Sequence, residues 1–489
     1  MCSCVSVTDR LSSDLGDPVV RSKASSGYAL EVNNTVTKYP ENSNPIISNV
    51  FCADPTSIEY NGRIYIYGSC DQQQFDVVGA DGENTYEHIK SLVVLSTDDM
   101  VNYTYHGTID VGSICPWIIA SWAPSIVSRE ESDGLTHFYL YFANSGAGTG
   151  VITATSPLGS WSDPLGKALV DKRTKGLMGC SVPFDPGACI DDSGTGWLTF
   201  GGLGNQCARI VRLGSDMISF DSDIKKIPAP CHFEANELNF INGTYVYTYN
   251  TNWEDHSAGW DIEGVQPPPV CSMCYMTTKT PLEPDSWVYH DYYFKNPGEQ
   301  GLEYGNNHTH LQKFNDRYYL FYHSMFPQKN FGTSGGFRSI SVDEAEVDEK
   351  NLVYSEVKGT KEGVSQIKNF DPGLPVNAAT SAACSGISYI QGENGVTVHS
   401  GSGDGKASWI CVRGADFGNG KSNFAARVKG TGVMEVRKGS ISGDKIAELN
   451  IDCDDFCTFY DKTAEGVSGV FDLYFVISDG IDLESWQFI

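Results

Sequence analysis

Three acidic residues each precede a turn and an aromatic strand pattern at nearly the same distance. Asp54 lies in Phe51-Cys52-Ala53-Asp54-Pro55, Asp185 in Phe184-Asp185-Pro186-Gly187, and Glu234 in His232-Phe233-Glu234-Ala235-Asn236. If the three strands converge, their carboxylates meet, and like charges together with burial raise the pKa of at least one of them. A protonated carboxyl beside an ionised one is the acid and base pair that cleavage of a glycosidic bond requires, and a third carboxylate can tune the acid.

The elements that would bring these acids together are five copies of a short turn followed by an alternating aromatic strand. The copies begin at Asn61-Gly62-Arg63, Gly134-Leu135-Thr136, Gly194-Thr195-Gly196, Asn242-Gly243-Thr244 and Asn315-Asp316-Arg317. The Gly and Asn residues supply the positive φ of a tight hairpin, and the aromatic and β-branched residues favour a pleated strand. A repeat of about 64 residues holds four short strands, which is one propeller blade. The pattern predicts an all-β chain with a five-bladed β-propeller; one large sandwich with ordinary hairpins is the alternative.

The character of the sequence changes after the fifth copy. A connector marked by glycine and proline is followed by short strand-like runs separated by glycine turns, such as 422–428 and 470–477. We therefore expect four parts: an N-terminal segment at 1–44, the propeller at 45–357, a linker at 358–374 and a β-sandwich of the jelly-roll kind at 375–489.

Composition limits the partners and the location. The 489 residues include 34 Lys and Arg against 61 Asp and Glu, which leaves a net charge of −27 and argues against nucleic acid or an anionic membrane surface as partner. No apolar run approaches the length of a membrane helix. Scattered cysteines, 15 in all, and sequons at Asn33, Asn102, Asn242 and Asn307 favour a secreted, disulfide-containing product. The chain starts without the pattern of a signal peptide, so we expect a trimmed form, and we expect a monomer.

Four short motifs in order carry a resemblance to a known family. Ala53-Asp54-Pro55, Ser121-Trp122-Ala123-Pro124, Phe184-Asp185-Pro186 and Phe233-Glu234-Ala235 together resemble glycoside hydrolase family 43. The resemblance implies a five-bladed propeller and an inverting mechanism, with Asp54 as general base, Asp185 as the acid that modulates pKa and orients, and Glu234 as general acid. Glu237 is the nearby alternative for the acid.

The same resemblance suggests further site residues. Trp122 would line the pocket by stacking on sugar, although core packing explains it equally well. Arg338 resembles a family arginine that contacts substrate near the base; the alternative is a surface arginine on an outer strand. His308 resembles a histidine near the channel axis, often beside a bound calcium, and is therefore the metal candidate. His308 and His310 could instead bind zinc, but no third ligand is evident.

The implied function is hydrolysis of plant hemicellulose. By resemblance, the chain is expected to be an exo-acting α-L-arabinofuranosidase on arabinoxylan or arabino-oligosaccharides, with β-xylosidase as second activity and no organic cofactor. A β-1,4-xylosidase or an endo-arabinanase of the same fold is an alternative, and a non-catalytic carbohydrate-binding propeller is one of another class. The C-terminal segments resemble a family 6 carbohydrate-binding module, but Asn377 and Ala379 stand where that family usually has calcium-holding glutamates.

Overall fold

The computed structural model describes residues 37–204, 207–392, 395–401 and 407–489. Most of the N-terminal segment expected at 1–44 lies outside these ranges. The chain divides into two compact units. One comprises Phe51–Val94 and Thr108–Gly363, and the other Met1–Val50, Leu95–Gly107 and Val364–Ile489. In the described residues of both units the regular structure is mainly β-strand, joined by loops and a few short helices. No helix among the described residues is long and apolar enough to cross a membrane.

Phe51–Val94 and Thr108–Gly363 form a propeller of five blades, each an antiparallel sheet. Blade one contains β1 (Ala53–Tyr60), β2 (Arg63–Ser69), β3 (Ser91–Thr97) and β4 (Tyr103–Asp110), and blade two contains β5 (Trp122–Glu130), β6 (Thr136–Ala143), β7 (Gly148–Ala154) and β8 (Val170–Asp171). Blade three contains β9 (Gly187–Ile190), β10 (Gly196–Phe200), β11 (Arg209–Arg212) and β12 (Lys225–Lys226). The outer ends of β3 and β4 fall within Leu95–Gly107 and are grouped with the second unit.

The last two blades and the helices complete this unit. Blade four contains β13 (His232–Ile241), β14 (Thr244–Thr251), β15 (Met273–Thr278) and β16 (Val288–Phe294), and blade five contains β17 (Thr309–Phe314), β18 (Arg317–Ser324) and β19 (Ser339–Ala345). A small pair, β20 (Val347–Asp348) and β21 (Val353–Tyr354), follows. The helices are α1 (Asp71–Val78), α2 (Val111–Ile114) and four 3₁₀ turns at Ser145–Ala147, Pro284–Ser286, Pro297–Gln300 and Phe326–Phe331.

All five predicted hairpins are present and join the first two strands of each blade. At the β1–β2 turn, Asn61 and Gly62 have φ of 53° and 73°, and at the β13–β14 turn, Asn242 and Gly243 have φ of 48° and 72°. Two successive positive φ angles match the twist of the flanking strands, which is why Asn-Gly is favoured there. The innermost strands touch in the closed order β1, β5, β9, β13, β17 and back to β1, so the ring is complete.

The aromatic strands are buried on both faces because each blade is packed between two others. In β6, Phe138, Leu140 and Phe142 pack against blade one, while Tyr139 and Tyr141 pack against blade three. Successive side chains of a strand point to opposite faces, so each face contributes to a different core. The same arrangement recurs between blades three and four and between blades four and five. The core of the propeller is therefore a series of apolar layers between neighbouring blades.

The second unit contains the β-sandwich. Its strands are β22 (Val376–Asn377), β24 (Ala383–Ser385), β25 (Ile387–Gly392), β26 (Gly395–Ser400), β27 (Ser408–Asp416), β28 (Asn423–Lys438), β29 (Lys445–Lys462), β30 (Val470–Ile477) and β31 (Asp482–Phe488). The short strand β23 (Thr380–Ser381) of the same unit pairs instead with Tyr103 and Thr104 at the outer end of β4. The first half of β28 pairs with β31 and its second half with β30, while β29 follows its other side. One long strand thus links the two faces around buried aromatic residues such as Phe475 and Trp486. The exact boundaries expected from the sequence stay a prediction.

The cysteines and sequons bear on the expected secretion. Among the described residues, one disulfide joins Cys180 and Cys207, and the remaining cysteines are thiols. Asn102 and Asn307 are buried, and their side-chain amides donate hydrogen bonds inside the protein. These two sequons therefore cannot carry a glycan in the folded chain, whereas Asn242 lies exposed at its hairpin turn.

Gly187 tests the packing between blades three and four. A Cβ atom there would lie 2.7 Å from Glu237 Cα and 2.9 Å from the Asn236 carbonyl oxygen, both backbone atoms of blade four. We expect Gly187→Ala to lower the free energy of unfolding by about 1–3 kcal/mol through overpacking. Chemical denaturation measures this, with Gly401→Ala as control because its Cβ would meet no atom nearer than 3.6 Å. Equal stability of the two variants would contradict the close packing of these blades.

Candidate active site

The inner strands of four blades begin with the same backbone irregularity. Asp54, Ala123, Asp185 and Ala235 all have a positive φ, between 39° and 60°. In β1, β5 and β13 the pairing register shifts at this point, as in a β-bulge. A non-glycine residue in this region costs roughly 1 kcal/mol or more, and such strain occurs where a side chain must be aimed. Because the inner strands run in the same direction around the ring, the four bulges lie at one end of the propeller.

The pairing register relates Glu234 to the two aspartates. The last cross-strand pairs before the bulge are Ala53 with Ser69, Trp122 with Ala143, and Glu234 with Asn250. Asp54 lies one residue after this point, and Asp185 has the same φ as Asp54 and the same following proline. Glu234 therefore occupies the position of Trp122, one residue earlier than the spacing in the sequence suggested. All three acids still lie at the starts of inner strands.

Asp54 is an ionised carboxylate. Its side chain is buried; Oδ1 accepts a hydrogen bond from Arg338 Nη1 at 2.8 Å, and Oδ2 accepts one from Ser69 Oγ at 2.6 Å. Burial, the largest single effect, pushes the pKa of this carboxyl up, but the positive charge of Arg338 and the smaller contributions of His323 and His308 together hold the pKa well below its usual range. The carboxylate is thus charged at any ordinary pH and is fixed in orientation by two donors.

Asp185 is a buried acid that titrates near neutral pH. Its Oδ2 accepts a hydrogen bond from the Ala235 backbone N–H at 3.0 Å, and its carbonyl oxygen accepts one from Asn236 Nδ2 at 2.9 Å. Burial and, second, the negative charge of Asp54 raise the pKa of Asp185 to about 7. Its hydrogen bonds connect the start of blade three to the bulge that directly follows Glu234.

Glu234 is the acid that keeps its proton. Burial, followed by the negative charges of Asp185 and Asp54, raises the pKa of Glu234 well above its usual range, and Arg338 offsets only part of this effect. In the part of the chain that the structure describes, no hydrogen bond holds its carboxyl group, in contrast to Asp54 and Asp185. The structure therefore brings the three predicted acids together and gives them different protonation states.

Glu237, the alternative acid, is engaged elsewhere. Its Oε1 lies 2.7 Å from His310 Nδ1 and accepts a hydrogen bond from the Leu311 backbone N–H at 3.0 Å. Its Oε2 accepts one from Thr248 Oγ1 at 3.2 Å. These contacts join blade four to blade five, and they occupy both oxygens.

The strand position that Glu237 occupies in blade four also links neighbouring blades elsewhere in the ring. Thr56 and Ser125, two residues after their bulge residues like Glu237, accept backbone N–H groups of Ile126 and Ala188 at 3.2 and 2.9 Å. A side chain at this place thus accepts a hydrogen bond from the next inner strand in blades one, two and four. Glu237 is the blade-four member of this set, which favours Glu234 as the acid.

Arg338 is buried rather than exposed, so its interpretation as a surface arginine is wrong. Only 2% of the residue is accessible. Besides Asp54, it donates to Asp71, from Nε at 2.8 Å and from Nη2 at 2.7 Å. The Tyr86 ring covers the guanidinium, with its centre 4.8 Å from Cζ. Sequence analysis missed Asp71, because a single aspartate at the start of a short helix forms no motif.

Trp122 forms an aromatic wall with Tyr86 beside Arg338. Its Nε1 donates to the Tyr86 carbonyl oxygen at 3.0 Å, and the two rings meet edge to face at 6.0 Å. The indole is half-buried and also packs on Ala143 and Phe184. Trp122 therefore contributes to the local core and presents part of its surface at the site. Its contact with sugar stays a prediction.

His308 lies beside Asp54, with its Nδ1 3.6 Å from Asp54 Oδ1. Burial lowers the pKa of His308 to about 4, so the ring is neutral. His323, which sequence analysis missed, is closer. Its Nδ1 accepts the Asp54 backbone N–H at 3.1 Å, and its Nε2 donates to the Asn306 carbonyl oxygen at 2.9 Å. These partners require the neutral ring with its proton on Nε2.

The donors around His308 do not fit a calcium site. Calcium takes about six to eight oxygen ligands, whereas His308 offers one nitrogen and the nearest Asp54 oxygen is already bound by Arg338. Over the described ranges, no group of three or more His, Cys, Asp or Glu side chains could hold a metal ion. The metal role expected of His308 therefore rests on the resemblance alone. In the structure, His308 is a neutral neighbour of Asp54.

Known proteins provide an independent comparison. Residues 42–350 match the family described as "Glycosyl hydrolases family 43". The arabinoxylan arabinofuranohydrolase of Paenibacillus polymyxa is 33% identical over 93% of this chain and 76% of that protein. That of Bacillus subtilis (strain 168) is 34% identical over 95% of both. The crystal structure of a glycoside hydrolase family 43 arabinoxylan arabinofuranohydrolase from Bacillus subtilis in complex with cellotetraose has a TM-score of 0.84 at 33% identity, and the match covers 94% of this chain and 99% of that one. The chain that builds this site thus belongs to glycosyl hydrolase family 43.

Proposed function

We propose that this chain is an inverting, exo-acting α-L-arabinofuranosidase that releases L-arabinofuranose from arabinoxylan or arabino-oligosaccharides. The observation that carries the proposal is the pair of unlike carboxyls at one end of the propeller, an ionised Asp54 and a protonated Glu234. Two arabinoxylan arabinofuranohydrolases that align over nearly the whole chain support the choice of sugar and polymer.

Asp54 is proposed as the general base. In an inverting hydrolysis a carboxylate takes a proton from water while the water oxygen bonds to the anomeric carbon on the face opposite the leaving group. Two donors, Arg338 and Ser69, hold the Asp54 carboxylate in one orientation. A fixed carboxylate aligns the water for attack and needs no reorganisation as the reaction proceeds.

Glu234 is proposed as the general acid, with Asp185 setting its proton affinity. Glu234 donates its proton to the glycosidic oxygen as the bond to the anomeric carbon breaks, so the xylan chain leaves as an alcohol. The negative charge of Asp185 helps to keep that proton on Glu234. Asp185 also holds the Ala235 N–H and so the backbone after the acid. Trp122 and Tyr86 offer aromatic surface for the sugar next to Arg338.

We further propose that the chain is secreted and that its sandwich is a carbohydrate-binding module. The Cys180–Cys207 disulfide supports secretion. Calcium is not part of the proposal for the sandwich, because Asn377 Oδ1 accepts the Ala379 N–H at 2.8 Å and so closes a local turn. The family resemblance of the C-terminal segments supports a glycan-binding role.

A substrate panel tests the activity. We expect the purified protein to cleave p-nitrophenyl α-L-arabinofuranoside faster than p-nitrophenyl β-D-xyloside, and to release arabinose from wheat arabinoxylan, first as the inverted anomer in NMR spectra. Asp54→Ala should reduce turnover by roughly 10²- to 10⁴-fold, because no base remains for the water. Xylose as the main product, or substantial turnover by Asp54→Ala, would contradict the proposal.

The choice between the two glutamates can be tested by leaving-group dependence. Glu234→Gln should lose roughly 10²- to 10⁴-fold in kcat/KM on arabinoxylan, yet much less on an aryl arabinofuranoside whose phenolate leaves without a proton. Glu237→Gln is the matched control and should instead lower stability, because it weakens the link between blades four and five. A leaving-group effect at Glu237 rather than Glu234 would reverse the assignment.

The pH profile tests the role of Asp185. Activity requires protonated Glu234, so kcat/KM should fall as pH rises through the raised pKa of Glu234. Asp185→Asn removes a negative charge that favours the protonated form, so this alkaline limb should move to lower pH. Profiles measured with an aryl arabinofuranoside will show the shift. An unchanged limb, or one moved to higher pH, would refute the modulating role.

A further inference from the structure

Asp71 is a fully buried acid that the mechanism above does not use. It begins helix α1, and none of its surface is accessible. A buried carboxylate is stable only when its oxygens are paired and hydrogen-bonded. Asp71 meets this need with Arg338 Nε at 2.8 Å, Arg338 Nη2 at 2.7 Å and Asn84 Nδ2 at 2.7 Å. Every one of these donors lies at the active-site end of blade one or five.

The pairing determines which edge of the guanidinium faces Asp54. An arginine and a carboxylate joined by two parallel hydrogen bonds are held in one plane. Because Asp71 takes Nε and Nη2, Nη1 is the donor that reaches Asp54, at 2.8 Å. Without Asp71, Arg338 would be free to form a two-pronged pair with Asp54 itself, which would add a second arginine N–H to the Oδ2 that already accepts from Ser69 Oγ.

The pairing also balances charge. The groups that face Arg338 are Asp54, Asp71 and Tyr86, with Asp185, Glu234 and His308 within electrostatic range. Those that face Asp71 are Arg338, Tyr86 and the buried thiols of Cys52 and Cys70. Asp71 therefore cancels part of a positive charge that would otherwise draw the proton off Glu234.

We propose that Asp71 is a positioning residue of the reaction, which holds the Arg338 guanidinium so that a single N–H reaches the base Asp54. The inference rests on the proposed glycosidase activity and adds to it a residue that does not contact the substrate. Asn84 also helps to hold Asp71 in place. Its Nδ2 donates to Asp71 Oδ2 at 2.7 Å and to the Gly336 carbonyl oxygen at 3.2 Å.

The test compares Asp71→Asn with Asp76→Asn, which removes the same charge from an exposed position of the same helix. With p-nitrophenyl α-L-arabinofuranoside, Asp71→Asn should lower kcat by roughly 10- to 100-fold, as loss of a supporting partner does in other sites, while KM changes by less than about threefold. The alkaline limb of kcat/KM should move to lower pH. Asp76→Asn should leave both unchanged.

A double-mutant cycle separates positioning from a general structural role. Lysine cannot make the two-pronged pair, so in an Arg338→Lys background Asp71→Asn should cost less than about threefold further. If Asp71→Asn does not fold, Asn84→Ala should show the same kcat-selective loss at smaller size. Unchanged kcat in Asp71→Asn, or a full additive loss in the lysine background, would overturn the positioning role. An active wild type would still uphold the proposed function in that case. An inactive wild type would overturn both.

Discussion

The Arg338 guanidinium lies buried between two carboxylates, Asp54 on one side and Asp71 on the other, and the chemistry of the site depends on this arrangement. A buried cation is costly unless it is paired, and so is each buried carboxylate. Pairing stabilises the ionised form of Asp54 and leaves Asp185 and Glu234 without a cation of their own. The charge that remains on Asp54 then raises the proton affinity of both. One ion pair thus separates a base from an acid in a pocket of like groups.

The architecture that places these groups could be predicted because its signals are local. Turn residues with positive φ followed by alternating aromatic residues identify hairpins, and their spacing indicates blades. The β-bulges were not predicted, although a signal was present. Proline follows Asp54, Ala123 and Asp185, and a residue before proline avoids the right-handed helical region. Three such dipeptides at three strand starts mark the points where the chain aims its side chains.

The site was predicted in part. Order and spacing of the motifs led to Asp54, Asp185 and Glu234, and the Phe233-Glu234-Ala235 triplet favoured Glu234 over Glu237. The sequence did not show that Glu237 is bound by blade five. Asp71 and His323 were missed because their partners lie 267 and 269 residues away and no spacing connects them. Arg338 could not be distinguished from a surface arginine, since burial depends on the closed ring.

The most direct test of the central claim is the protonation state of the two carboxyls themselves. Side-chain carboxyl carbons of ¹³C-labelled aspartate and glutamate can be titrated by NMR, with Asp54→Asn and Glu234→Gln used to assign the two signals. We predict that at mildly acidic pH the Asp54 carbon reports an ionised group while the Glu234 carbon reports a protonated one. An ionised Glu234 beside a protonated Asp54 would contradict the account.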